Sequence, residues 1–195
     1  IRPRVVGIPR HPHSCSMATS SPANRLVSLV GHTFAQLGDG FGLAEGGPGR
    51  GAGGAVLSGS DRRFDGRRFV GELSLSNNGG PASPVCDGWV TFKKPVIAGL
   101  TARGGVELTE KTFPILIRDL RLLTDGGGAG RHRGAPPVTT SFTARWDPVT
   151  IAYQGEGTVT PGRGVLGGLA GSHMDVRVEH ADGEVEVLPN VYAGE

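Results

Sequence analysis

The stretch VTTSFTARWDPVTIAY, residues 138–153, carries the clearest structural signal of the chain. Side chains alternate along its first half, and one side carries Val138, Thr140, Phe142, Ala144 and Trp146. After Asp147-Pro148 the same alternation returns at Val149, Ile151 and Tyr153. A period of two is typical of a half-buried β-strand, because successive side chains point to opposite faces. The stretch therefore predicts antiparallel β-structure.

The same pattern extends outward to both ends of the chain. Ala55 to Leu75 is predicted as a hairpin that turns at Asp65-Gly66, and a second hairpin is predicted around Asp182-Gly183. Gly suits such turns because it adopts positive φ without a steric penalty. Arg25 to Val30 and Val106 to Thr109 are also interpreted as strands. With about nine candidate strands, the sequence predicts an all-β protein, either an antiparallel β-barrel of about eight strands or a β-sandwich or jelly roll.

The most apolar segment, Phe113 to Leu123, fits either a strand or a short helix, and the β-branched residues at its start favour the strand. As a strand, it would place Asp119 on the same face as Phe113 and Ile115. A buried carboxylate is expensive unless it is paired, and desolvation raises its pKa. Asp119 is therefore the first candidate for an acid or base, and the alternative is a salt bridge to a nearby Arg or an exposed strand end.

Composition bounds the function classes. The formal charge of +2 gives no case for nucleic acid or an anionic membrane surface. No apolar run approaches the roughly 18 residues of a membrane span. Two cysteines are too few for a disulfide framework, so a reduced, cytoplasmic compartment is the default.

The first 24 residues have no apolar periodicity, and the first acidic residue of the chain is Asp39. They are interpreted as a flexible N-terminal extension, followed by a single antiparallel β-barrel domain over residues 25–195. An Arg- and Ser-rich, acid-poor stretch is also compatible with a targeting peptide.

Glycine is concentrated between the predicted strands, with 34 residues in the whole chain. Gly38 to Gly54 lacks the Gly-Lys-Ser/Thr ending of a phosphate loop, so it is predicted to be a long flexible loop or a lid over a pocket mouth. Gly126 to Pro137, with Arg131-His132-Arg133 among its glycines, is predicted to be a flexible basic surface loop.

The decapeptide GRGVLGGLAG, residues 162–171, is followed by alternating Met174, Val176 and Val178. It resembles the closing turn of the allene oxide cyclase/dirigent β-barrel superfamily. The resemblance implies an eight-stranded antiparallel barrel, often oligomeric, that holds a hydrophobic small molecule without any cofactor. It also implies that Leu166 and Leu169 plug the barrel end. No catalytic residue of that family matches a position here, so none is carried over.

These observations predict a cofactor-independent cyclase or isomerase that shapes a hydrophobic small molecule inside the barrel. The alternatives are a non-catalytic carrier of hydrophobic ligands and a structural or assembly β protein, and a homo-oligomer fits all three. Asp119 and Tyr153 are the predicted catalytic residues. The predicted substrate-binding residues are Phe142, Trp146, Ile151 and Trp89. No metal site is predicted, since His173 and His180 would lie on opposite faces of a strand.

Overall fold

The computed structural model describes residues 26–46, 55–75, 79–90, 104–155, 157–189 and 191–194. These residues contain two α-helices, α1 over residues 26–35 and α2 over Val106–Thr112. The strands are β1 Val56–Asp61, β2 Arg67–Glu72, β3 Ile115–Leu122, β4 Val138–Ala144, β5 Val149–Gln154, β6 Arg177–Glu179, β7 Val185–Val187 and β8 Val191–Gly194. The interpretation of residues 1–24 as an extension lies outside the described residues.

The strands form three separate antiparallel sheets. One has four strands in the order β2-β1-β5-β8, and the other two are the pairs β3-β4 and β6-β7. Within the described residues these sheets do not close on one another, so the predicted β-barrel is wrong. Alternation reports that one face of each strand is buried, but it does not say which strands share a sheet.

Both predicted hairpins are present, and their turns use the residues that the sequence indicated. Between β1 and β2 a short 3-10 turn leads into Asp65 and Gly66, which have φ of 53° and 71°. Between β6 and β7, Gly183 has φ of 90° and its N–H donates to the carbonyl of His180. Positive φ at these sites reverses the chain within a few residues.

The core lies where the four-stranded sheet meets the start of β3. Leu57, Leu73, Leu75 and Ile115 are fully buried there, and Phe113, Val149 and Tyr153 pack in the same cluster. Gly71 lies directly beneath the ring of Phe113, where a Cβ would come within 2.8 Å of two ring atoms. The predicted strand over Phe113 to Leu123 is thus confirmed as β3.

Two segments predicted as strands are helical. Arg25 to Val30 belongs to α1 from residue 26 onward, and Val106 to Thr109 opens α2. Helix α1 buries small and polar residues, Ala35 and His32, and leaves its large apolar side chains exposed. A helix is usually predicted from an apolar face that packs against the core. The apolar side of α1 is exposed, so the sequence pattern did not predict this helix.

The sequence also predicts a strand over Asp87 to Phe92, and its described part, residues 87–90, has no strand structure. Among the described segments, no helix has both the length and the apolar character needed to cross a bilayer.

Candidate functional site

A cleft of about 780 Å³ opens between loops that carry most of the glycine of the described chain. Most of its lining comes from four segments, within residues 38–45, 79–84, 126–140 and 162–177, and Ala35 and Leu123 also contribute. The first of these is the described part of the predicted lid, and it does contribute to the wall. The site is therefore built mainly from connections between regular elements, where ligand-binding residues are commonly found.

These loops are packed backbone against backbone. A Cβ on Gly127 would lie 1.9 Å from the carbonyl oxygen of Gly134, and a Cβ on Gly128 would lie 2.3 Å from that of Leu169. The N–H of Leu169 donates to the carbonyl of Ala129 at 2.8 Å, which joins the two loops directly. Residues 126–137 form a loop with Arg131 and Arg133 exposed, as predicted, and its glycines lie where backbones touch each other.

Two ion pairs stand in the cleft wall. Arg163 donates to Glu45 from its side-chain Nε at 3.0 Å and from its backbone N–H at 3.2 Å, and the N–H of Glu45 donates back to the carbonyl of Arg163. Asp175 and Arg177 are paired at 2.5 Å, and the hydrogen bond that Arg177 donates to the Asp175 carboxylate raises the pKa of Arg177. The Arg163–Glu45 pair ties the loop of residues 38–45 to that of residues 162–171, and within each pair the two charges compensate each other.

His173 lines the cleft with a defined tautomer. Its Nδ1 lies 2.9 Å from the carbonyl oxygen of Thr158. Because a carbonyl only accepts hydrogen bonds, Nδ1 carries the proton, and the Nε2 of the neutral ring is left with a lone pair. A histidine held in this way can accept a proton at Nε2 and return it.

Thr140 on β4 adds a hydroxyl group to the wall. Its Oγ1 is buried and has no hydrogen-bond partner among the described residues. An unsatisfied buried hydroxyl costs about 1–3 kcal/mol, and a ligand or water in the cleft that bonded to it would remove this penalty. Met174 and Val176 line the same cleft and give it an apolar part.

The two residues predicted to be catalytic lie elsewhere. Asp119 has a side chain that is 37 % exposed and forms an ion pair with Arg121 at 3.0 Å. Tyr153 is buried in the core, and its hydroxyl donates to the carbonyl of Pro189 at 2.7 Å. Neither residue lines the cleft.

The four predicted substrate-binding residues also lie outside the cleft lining. Phe142 and Ile151 pack against the core, and Trp89 is 59 % exposed. Trp146 is stacked by two guanidinium groups, those of Arg63 and Arg145, at 5.9 and 5.6 Å from its ring centroid. The catalytic and binding roles of all six residues stay predictions.

Sequence reasoning missed the cleft because it treated glycine as a sign of flexibility. His173 entered only as a possible metal ligand. Among the described residues, no group of three or more His, Cys, Asp or Glu side chains is placed to hold a metal ion. The signal that could have found the site is the number of glycines themselves, since turns alone do not need Gly-Gly-Gly at residues 126–128.

Comparisons with known proteins identify relatives of a different kind from those expected. The family model described as hydantoinase B/oxoprolinase matches residues 1–192. The caprolactamase subunit beta of Pseudomonas jessenii is 29 % identical over 141 residues, which are 66 % of this chain and 24 % of that protein.

Two solved structures are similar to this chain over part of their length. The crystal structure of ATP-dependent caprolactamase from Pseudomonas jessenii matches with a TM-score of 0.55 and 24 % identity, over 77 % of this chain and 28 % of that one. A nucleotide-free structure of acetone carboxylase matches with a TM-score of 0.48 and 17 % identity, over 70 % of this chain and 17 % of that one. The chain thus spans about a quarter of the length of the caprolactamase chains that it matches.

The family match overturns the resemblance to the allene oxide cyclase/dirigent superfamily and the cofactor-independent cyclase inferred from it. The decapeptide that carried the resemblance closes no barrel, and Leu166 and Leu169 are 72 % and 66 % exposed instead of plugging one. A Gly-rich turn before a short strand is common to many β proteins, which is why ten residues were misleading. A family model that covers residues 1–192 is far more extensive, and the chain belongs to the hydantoinase B/oxoprolinase family.

Proposed function

We propose that this chain forms part of a subunit of an enzyme that hydrolyses cyclic amides, and that the amide binds in the glycine-walled cleft. Family membership and the lactam named in the caprolactamase relative support the reaction class. The observation that carries the proposal is His173, which stands in the cleft wall with its Nε2 available for proton transfer.

The chemistry of amide hydrolysis fits these groups. Water attacks the carbonyl carbon, the C–N bond breaks, and the ring nitrogen takes up a proton. Nε2 of His173 would accept the proton of the attacking water and pass it to the leaving nitrogen. The hydroxyl of Thr140, for which the described part of the chain supplies no hydrogen-bond partner, would donate to the amide carbonyl, and Met174 and Val176 would contact the methylene groups of the ring.

We extend to the assembly two properties stated for the relative, namely that it is ATP-dependent and that it has more than one kind of subunit. The sequence of this chain has no Gly-Lys-Ser/Thr loop. The proposal therefore assigns the amide, and not the nucleotide, to the cleft.

Substituting His173→Asn tests the proposal. Asn keeps a donor near the position of Nδ1, so the bond to Thr158 is retained, but it has no equivalent of Nε2. With the intact protein and its companion subunit, ATP-dependent ring opening of a panel of lactams should lose about 10²-fold or more in kcat. Release of the linear amino acid is the readout.

The matched control is His180→Asn. His180 lies on the β6–β7 hairpin, outside the cleft lining, and contacts Glu186 at 3.4 Å. This variant should keep the parent kcat. Equal activity of His173→Asn and the parent protein would refute the role of His173, and absence of ring opening with every lactam in the panel would refute the function itself.

A further inference from the structure

The charges that line the cleft do not balance. Of the residues that the structure describes, three arginines line it, and two of them are paired, Arg163 with Glu45 and Arg177 with Asp175. The third, Arg131, is exposed and has no ion-pair or hydrogen-bond partner among the described residues. The cleft therefore carries one guanidinium whose charge no carboxylate offsets.

The loop that carries Arg131 is held in place. The N–H of Gly134 donates to the carbonyl of Gly128 at 2.9 Å, and the N–H of Arg133 donates to the side chain of Asp87 at 2.8 Å. These bonds hold the backbone on both sides of Arg131. They therefore define the point on the loop from which its side chain extends. A preorganised loop loses less conformational entropy when its side chain binds a ligand.

The two basic residues that follow Arg131 both have an acidic partner, whereas Arg131 does not have one among the described residues. His132, which also lines the cleft, lies 3.6 Å from Asp87, and Arg133 lies 3.6 Å from Asp125. Arg133 does not line the cleft. Arg131 is therefore the one residue of this basic run that combines two properties: it lines the cleft, and it has no acidic partner among the described residues.

We infer that Arg131 binds an anionic group of the ligand in the cleft, through the forked hydrogen bonds that a guanidinium makes to carboxylate or phosphate oxygens. This inference rests on the proposed function for the identity of the ligand, a cyclic amide. Two sources supply such an oxyanion: a carboxylate carried by the amide itself, or a phosphoryl group formed during the ATP-dependent reaction.

The two sources give different kinetics in Arg131→Gln. The substrates are a five-membered lactam with a ring carboxylate and the same lactam without it, each turned over by the intact protein with its companion subunit. If the anion is the substrate carboxylate, KM for the acidic lactam rises about ten- to a hundredfold and the neutral lactam is unaffected. If it is a phosphoryl group, kcat falls for both lactams and KM changes little.

Arg133→Gln is the matched control, since it removes the same charge from the same loop outside the cleft lining. It should change neither parameter by more than about twofold, because exposed ion pairs contribute little. Unchanged kinetics of Arg131→Gln with both lactams would overturn the inference, and so would equal losses in the two variants.

Equilibrium binding separates this inference from the proposed function. If no lactam in the panel is hydrolysed, the proposed function fails, but binding of the acidic lactam and of inorganic phosphate to the intact protein is still measured by calorimetry. Weaker binding of either probe to Arg131→Gln than to the parent and to Arg133→Gln would support an anion site. Equal binding of both probes to all three proteins would remove it.

Discussion

Asp61 is 3 % exposed at the end of β1, and Arg63 neutralises it. The guanidinium donates from Nε and Nη2 to both carboxylate oxygens, at distances from 2.6 to 3.0 Å, and its Nη1 donates to the carbonyl of Glu110. The hydrogen bonds from Arg63 hold the pKa of Asp61 below the ordinary value of 3.8. The pair thereby links the β1–β2 turn to α2.

This pair should make the stability of the fold sensitive to acid. Because the folded-state pKa of Asp61 is depressed, its contribution is complete above the unfolded pKa of about 3.9 and is lost as the pH falls through the lower folded value. Asp61→Asn should lower the free energy of unfolding by about 2 kcal/mol at pH 7 and flatten its decline below about pH 4. Urea denaturation at a series of pH values measures both effects.

The control for this substitution is Asp65→Asn, at an exposed turn position with φ of 53° that Asn also adopts readily. Asp147, whose pKa is lowered by Arg62, contributes to the acid decline in the same direction and is present in both variants. If Asp61→Asn shows the same acid decline as the control, Asp61 is not its source.

The position of Asp119 could not be predicted from the alternation of side chains along β3. Strict alternation placed it with Phe113 and Ile115, on a buried face. In the structure, Ile117 pairs with Phe142 but Asp119 pairs with the adjacent Ser141, so one extra residue is accommodated in β3 between them. Such a bulge interrupts the alternation of side chains, and the sequence of this strand does not indicate it. The alternative interpretation, an ion pair with a nearby Arg, matches what is seen with Arg121.

At the scale of elements, the loops around the cleft depend on contacts that only glycine permits. Gly128→Ala would place a methyl group within 2.3 Å of the carbonyl oxygen of Leu169 and force the two loops apart. We expect it to lower the free energy of unfolding by about 1–3 kcal/mol, measured by thermal denaturation, and to weaken ligand binding in the cleft.

Gly31→Ala is the comparison for that substitution. Gly31 lies within α1, and its nearest neighbour, the backbone nitrogen of Leu43, would be 3.9 Å from the new Cβ. Ala favours a helix over Gly by about 1 kcal/mol, so this variant should be as stable as the parent or more so. Similar destabilisation by the two substitutions would show that the loop contacts are not what makes Gly128 necessary.

Elements were predictable from the sequence where the alternation was long and bounded by turn residues. β1, β2, β4 and β5 follow the pattern, and both hairpin turns fall at the Asp-Gly dipeptides. The helices were missed for a physical reason. The window at Arg25 to Val30 is shorter than two helical turns, and the apolar residues of α1 do not face the core.

For the whole molecule, the sequence predicted β-structure but not its arrangement. β1 pairs with β2, its neighbour along the chain, and also with β5, about ninety residues later. Pairing over such a distance depends on which faces fit together, and the alternation is the same in a barrel, a sandwich or several small sheets. The number of glycines could have indicated close backbone packing, but the position of the cleft could not be predicted, because the segments that line it meet only through this topology.

The backbone contacts between the glycine-rich loops also bear on how the chain can vary. In most proteins, connecting segments accept substitutions and insertions while the regular elements resist them. Here the opposite is expected: at Gly79, Gly88, Gly127, Gly128 and Gly164 any side chain would collide with a carbonyl oxygen of the chain. The exposed strand β7 has no such constraint.

Saturation mutagenesis scored by cellular abundance should therefore give an inverted map, with the loops intolerant and β7 permissive. A map in which these glycines accept alanine as readily as β7 accepts polar residues would contradict it. If the expected map is found, the glycine-rich loops limit which substitutions this protein can accumulate. New substrate preferences would then arise through side chains such as that of Arg131, while the loop backbones stay unchanged.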